Sequence, residues 1–196
     1  VRKPIAVIEA PSILGLRPTG VEHLPESLQR AGLLGRLAAR PAGRVEPPAY
    51  SDKRDSETGF LNPRGIADYS RRLADSVEQV LQRGEFALVL GGDCSILLGS
   101  MLALQRRGRH GLLFLDGHMD FYDEAANING EAASSELALV TGRGPALLTN
   151  FDGLGPLVSD EDVVAFGFRD EREAQKYGSQ PLPAVMKAMS LEEVRR

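Results

Sequence analysis

The sequence predicts an α/β fold in which a parallel sheet is covered on both faces by helices. Two observations carry this. Short apolar runs of strand length alternate with longer stretches whose apolar residues recur at helical spacing, the pattern of right-handed βαβ units. The polar residues suited to chemistry fall just past the carboxyl ends of the apolar runs, where open α/β sheets place their ligands.

Ile5 to Glu9 (IAVIE) is a short apolar run closed by Pro11, and reads as a buried strand. After a loop punctuated by Gly and Pro, SLQRAGLLGRLAAR reads as a helix. Residues 41–62 are rich in Pro, Ser and Asp and predict a loop with at most one short strand. Asn62 then suits an N-cap and Pro63 the first helical position. From there Ile66, Tyr69, Leu73, Val77, Val80 and Leu81 mark one buried helical face, and Gly84 supplies the stop. A strand, FALVL, follows from Phe86 and ends on Gly91-Gly92-Asp93-Cys94-Ser95. A helix spans about Ile96 to Arg107, and Leu112 to Leu115 form a strand ending at Asp116. A further helix is expected around Ser135 to Thr141, and a strand over Val163 to Phe168, ending at Arg169-Asp170. The closing LEEVRR reads as the middle of a helix.

At 196 residues the chain predicts one domain over 1–196 with a sizeable core. An apolar share of 42% and a charged share of 26% are those of an ordinary globular protein. The net charge of −4 and the lack of a basic block argue against nucleic acid or an anionic membrane as partner. No apolar stretch approaches the ~20 residues that span a bilayer. The start, VRKPIAVIEAPS, carries too short an apolar run for a signal peptide, and the single cysteine, Cys94, forms no internal disulfide. A cytoplasmic location is therefore expected.

The chemistry centres on LLFLDGHMD, which delivers Asp116, His118 and Asp120 at alternate positions. In an extended backbone alternate residues point to one side, so two carboxylates and an imidazole would converge. Two carboxylates so close raise one another's pKa, and a divalent cation removes the repulsion. Mixed Asp and His ligands suit Mn, Zn or Fe(II), with a carboxylate-rich set leaning to Mn. The same pattern also reads as a solvated acidic turn with a chance histidine. In VLGGDCS, the two glycines allow a tight turn or a close backbone approach, and Asp93 would orient a ligand from behind. Cys94 has two readings, a metal-binding thiolate or a small buried hydrophobe, and for a lone cysteine the second is favoured. Glu131, in NGEAASSEL, reads as a general base or as a water-facing glutamate favouring a helix dipole, and local grounds favour the latter. His23 and His110 read as surface residues.

These elements, in this order, resemble the ureohydrolase (arginase/agmatinase) family over nearly the whole chain. PSILGLRPTGVEHLPESLQRAGLLGRL resembles its N-terminal pattern, VLGGDCS its GGDHS, and LFLDGHMD its DAHxD. GEAASSELAL falls where the family has an HGxP-type loop, and VVAFGFRD resembles the strand ending in its GLRD pattern. The resemblance implies a three-layer α/β/α fold with a mostly parallel sheet (arginase-like), and a two-ion Mn2+ site. It implies hydrolysis of a guanidino or amidine substrate to urea and an amine, and a homo-oligomer. Carried over by position, Asp116 would bridge two metals, with Asp120 on one and His118 on the other.

The sequence departs from the family pattern in several places. Cys94 replaces a histidine ligand: a thiolate there would pull the preference toward Zn2+, and a neutral thiol would weaken that metal position. Glu131 stands where a proton-shuttling histidine is expected, so together with Asp120 it is the candidate catalytic acid or base. Arg172 stands where arginases have a substrate-contacting aspartate. The family's later DxD pair has no counterpart after Arg169, so the chain is expected to lack the family's C-terminal segment. A non-catalytic binding or regulatory protein that kept the fold is the alternative. A metallophosphoesterase reading of DGHMD ranks lower because no GNH motif follows, and neither GxGxxG nor a P-loop supports nucleotide binding.

Overall fold

The computed structural model describes residues 2–196. The strands form two three-stranded parallel sheets, ordered β2-β1-β3 and β4-β5-β6. β1 (Ile5–Ala10) pairs with β3 (Phe86–Gly91) along its whole length, Ile5 opposite Phe86 and Ala10 opposite Gly91. β2 (Arg40–Arg44) lines the other side of β1 with an irregular register between Val7 and Glu9. It is the short strand expected within an otherwise irregular segment.

The helix expected over SLQRAGLLGRLAAR is two helices, α1 (Leu24–Arg30) and α2 (Leu33–Leu37). Gly32 separates them with a φ of 81°, a left-handed backbone that ends one helix and starts another. α3 (Pro63–Gln82) starts at the expected Pro63, but Asn62 does not cap it. Asn62 adopts a φ of 47°, its Oδ1 accepts the Ser51 N–H at 2.7 Å, and its Nδ2 donates to the Leu14 carbonyl at 2.9 Å. The side chain that was expected to cap instead ties two loops together. The apolar face of α3 is buried as its spacing predicts, through Ile66, Tyr69, Leu73, Val77 and Val80.

α4 (Ile96–Gln105) packs closely on α3: a Cβ on Gly99 would lie 2.8 Å from the Ser70 carbonyl oxygen. β4 (Leu112–Leu115) follows, then α5 (Glu136–Val140), α6 (Ala146–Thr149) and β5 (Val163–Phe166). α7 (Glu171–Lys176), β6 (Lys187–Met189) and α8 (Leu191–Val194) complete the order. One core joins both sheets, with Ile8, Leu14, Phe60, Leu73, Leu98, Leu102, Leu137 and Phe151 buried in it.

The parallel pairing flanked by helices is as expected, with Leu113 and Leu115 of β4 left 61% and 66% exposed. LEEVRR is not the middle of a helix: α8 covers Leu191–Val194 and begins at its cap. Ser190 caps α8 by accepting the Glu193 N–H, while the Glu193 carboxylate accepts the Ser190 N–H at 2.8 Å. No helix among the described residues is long and apolar enough to cross a membrane.

Candidate metal centre

The ends of β1, β3, β4 and β5 meet around one acidic cleft. Its volume is about 350 Å³, and Cys94, Asp116, His118, Asp120, Asp170 and Glu173 line it. A larger cleft of about 660 Å³ near the start of α3 shares none of these residues. Its size does not make it the chemical site, because it lacks convergent metal-ligating groups.

The turn after β3 is built by contact with the segment after β1. The Gly92 N–H donates to the Ala10 carbonyl at 3.0 Å, and the Asp93 N–H to the Ser12 carbonyl at 2.9 Å. A Cβ on Gly92 would run into the Ser12 carbonyl oxygen. The close backbone approach expected of this glycine is therefore real. Replacing Gly92 with Ala is expected to cost about 3 kcal/mol, the upper end for overpacking, because the obstacle is backbone. Urea denaturation would measure it, and a loss below about 1 kcal/mol would mean the turn opens freely. Asp93 is buried and anchors the turn from behind. Its carboxylate accepts the Ser12 hydroxyl at 2.8 Å and the Ser95 N–H at 2.9 Å. Between those two contacts, Cys94 faces the cleft. It is exposed, so the reading as a buried hydrophobe does not hold.

β4 delivers Asp116, whose N–H still pairs with the Phe166 carbonyl of β5 at 3.3 Å. Beyond it the chain does not stay extended, as the alternating reading of Asp116, His118 and Asp120 required. It bends at Gly117-His118, and the Asp116 Oδ1 accepts the His118 N–H at 2.9 Å. Asp120 then adopts a φ of 47°. The three side chains reach the same cleft by a turn rather than by strand pleating. Asp170, at the end of the β5 segment, holds this turn by accepting the Met119 N–H at 3.1 Å. The Arg169 N–H adds a bond to the Gly117 carbonyl at 3.0 Å.

The tightest convergence includes a residue outside the expected set. Ligand atoms of Cys94, Asp116 and Glu136 all lie within 4.8 Å of one another. Glu136 opens α5 and is only 3% exposed. Its Oε2 has no hydrogen-bond partner. His118 stands at the exposed rim, its Nδ1 3.5 Å from the Asp116 carboxylate. Asp120 is 8% exposed. Glu131 is elsewhere: its carboxylate accepts the Arg17 N–H at 3.0 Å and the Asn129 side-chain amide at 2.6 Å, and it does not line the cleft.

The electrostatics follow from this crowding. Burial first, then Asp116 and Asp170, push Asp120 up to about 8. Burial, with Asp120 and Asp116 adding to it, pushes Glu136 well above the usual carboxylate range. Burial of the sulfur and the carboxylates of Glu136, Asp120 and Asp116 push the Cys94 thiol up as well. Cys94 is open on its cleft side, whereas the protein packed around its sulfur raises the cost of the thiolate. Without a cation, Asp120 and Glu136 favour their protonated forms. An unpartnered buried carboxylate oxygen beside a thiol and a second carboxylate fits a divalent cation, which would supply the missing positive charge.

Glu136 was missed because a first-turn glutamate ordinarily faces water and favours the helix dipole. The available signal was its neighbours: ELALV is otherwise wholly apolar, and all five residues of the helix are buried.

The family model described as Arginase family matches residues 3–195. An arginase from Bacillus caldovelox is 32% identical over 185 residues, covering 89% of this chain and 60% of that protein. An arginase from Staphylococcus aureus is 30% identical over 176 residues, covering 86% and 58%. The solved structure of the Bacillus caldovelox arginase superposes with a TM-score of 0.81 at 28% identity, covering 99% of this chain and 67% of that one. The chain thus spans about three-fifths of the length of these curated relatives. The match over nearly its whole length, with the carboxylates at the expected strand ends, shows that this chain belongs to the arginase family.

Proposed function

We propose that the protein is a metal-dependent ureohydrolase that cleaves a C–N bond of a guanidino or amidine compound, giving urea and an amine. The observation that carries this reading is the acidic cleft at the strand ends of an arginase-family chain, where Asp116, Asp120, Asp170 and Glu173 face a common space. A planar, permanently charged guanidinium is the substrate head that such a cleft favours. A divalent metal, when bound, would lower the pKa of water to the working range and polarise the reacting carbon.

The chain's own residues supply the rest. Asp116, at the centre of the cluster, and Cys94 hold the cation, with His118 and Asp120 as the neighbouring donors of the sequence-based set. Mn2+ is the ion the family resemblance implies, and the Cys94 sulfur favours Zn2+. Asp120, buried beside Asp116 and Asp170, is the candidate to take a proton from the attacking water and return it to the leaving amine. Tyr122 and Ser134 line both the acidic cleft and a smaller neighbouring cleft of about 200 Å³, giving the substrate's body a way out of the site.

The test is urea release by the full chain loaded with Mn2+ or Zn2+, across arginine, agmatine and guanidino acids. No urea from any of them would end the reading. Glu131, the other acid–base candidate, holds the loop through the Arg17 N–H and Asn129. Glu131→Gln is accordingly expected to cost about 1 kcal/mol of stability and leave the pH profile of urea release in place. Loss of one limb of that profile would return Glu131 to the chemistry.

A further inference from the structure

We infer that Glu136 is a metal ligand, and that with Cys94 and Asp116 it forms a three-ligand position preferring Zn2+ or Co2+ over Mn2+. The inference rests on the metal-dependent reading above and goes beyond it by naming the donor set of one ion. Three observations support it. The ligand atoms of the three residues lie within 4.8 Å of one another. Glu136 is 97% removed from solvent, yet its Oε2 has no partner. The charges acting on Glu136 come from Asp120, Asp116 and Asp93, all negative.

A buried carboxylate is normally paired, hydrogen-bonded or bound to a metal, because stripping its water costs several kcal/mol. Here the surroundings offer the carboxylate no cationic side chain, only the Cys94 thiol as a weak donor and further acids. The fold also fixes the position. Ser135, just before Glu136, accepts the Asn127 side-chain amide at 2.9 Å, and the rest of α5 is sealed in the core. Glu136 therefore has little freedom to swing out to water.

The donor chemistry sets the ion. One thiolate with two carboxylates suits borderline metals such as Zn2+ and Co2+, whereas Mn2+ prefers oxygen. Three protein ligands with the fourth side open to the cleft is also the arrangement of catalytic rather than structural zinc. Binding would release the thiol proton and the Glu136 carboxyl proton to solvent as the sulfur–metal and oxygen–metal bonds form, so that no oxidant or reductant is involved.

The experiment is a Co2+ titration of the metal-free full chain, followed by near-ultraviolet absorption and by calorimetry. One equivalent of Co2+ is expected to bring up a thiolate-to-cobalt charge-transfer band. Cys94→Ser should abolish the band. Glu136→Gln keeps the side chain's size and is expected to weaken Co2+ binding at least tenfold. Glu136→Asp should fall between Gln and the wild type. Circular dichroism of the metal-free variants checks that they fold, and a misfolded Glu136→Gln leaves Glu136→Asp as the deciding variant. Co2+ bound without the band, or bound equally by a folded Glu136→Gln, would overturn the inference while leaving metal-dependent hydrolysis standing. The band together with no urea from any guanidino compound would sustain the inference and remove the proposed activity. No Co2+ binding at all would overturn the inference, with the urea assay then deciding the activity.

Discussion

Asp116→Asn is expected to lower divalent-metal affinity by at least about a hundredfold, roughly 2.7 kcal/mol, and to reduce urea release with it. Asp116 stands in the middle of the cluster. Its carboxylate lies within 4.8 Å of ligand atoms of Cys94 and Glu136, and 3.5 Å from the His118 ring. Asparagine keeps the volume and the oxygen that accepts the His118 N–H, so the turn after β4 should survive. What disappears is a charge at the point where Cys94 and Glu136 converge. Calorimetric titration with Mn2+ and Zn2+ would measure the loss, with the melting curve of the metal-free protein as the control on folding. An affinity within threefold of the wild type would show that the cation, if bound, sits elsewhere in the cleft.

The second large effect concerns pH and the metal-free protein. Folding raises Asp120 from 3.8 to about 8, so between those values the folded state holds a proton that the unfolded chain has released. Stability from this group is complete below about pH 4 and is lost as pH rises through 8. At 1.36 kcal/mol per unit, the change amounts to roughly 6 kcal/mol. Glu136 is shifted in the same direction and adds to the fall. Chelator-treated protein should therefore unfold at progressively lower denaturant concentration from pH 5 to pH 8. Asp120→Asn, which cannot ionise, should flatten much of that slope. A metal-free wild type whose stability is level or rising over this range would contradict the crowding of carboxylates described for the cleft. Adding the metal should restore stability most at the alkaline end, because the cation offsets the repulsion that deprotonation creates.

Both effects come from residues that a local reading finds only in part. Asp116, His118 and Asp120 were legible because an apolar run ending in DGHMD is unusual in itself. An extended backbone does not join them, since the chain bends at Gly117-His118 and Asp120 takes a left-handed backbone. Asp170, tied to the Met119 N–H across the sheet, is what holds the bend, and no spacing in the sequence reveals that bond. Glu131 was chosen by its place in a family loop, while its two hydrogen bonds depend on how that loop folds back on Arg17. Glu136, five residues later, was overlooked.

The sequence by itself determined most of the strand and helix order as far as β5, though not α6, α7 or β6, because hydrophobic periodicity and the Gly and Pro stops are local signals. It also put the candidate ligands at the strand ends, since the polar residues interrupt the apolar runs there. Only the tertiary structure decided which carboxylates share a site and which helices break. It also decided where a capping Asn spends its hydrogen bonds and how far β4 is covered. The physical reason is that burial and electrostatic crowding are set by what packs around a side chain. Glu136 becomes a candidate ligand only because α5 is sealed against the core with Cys94 and Asp116 at its head.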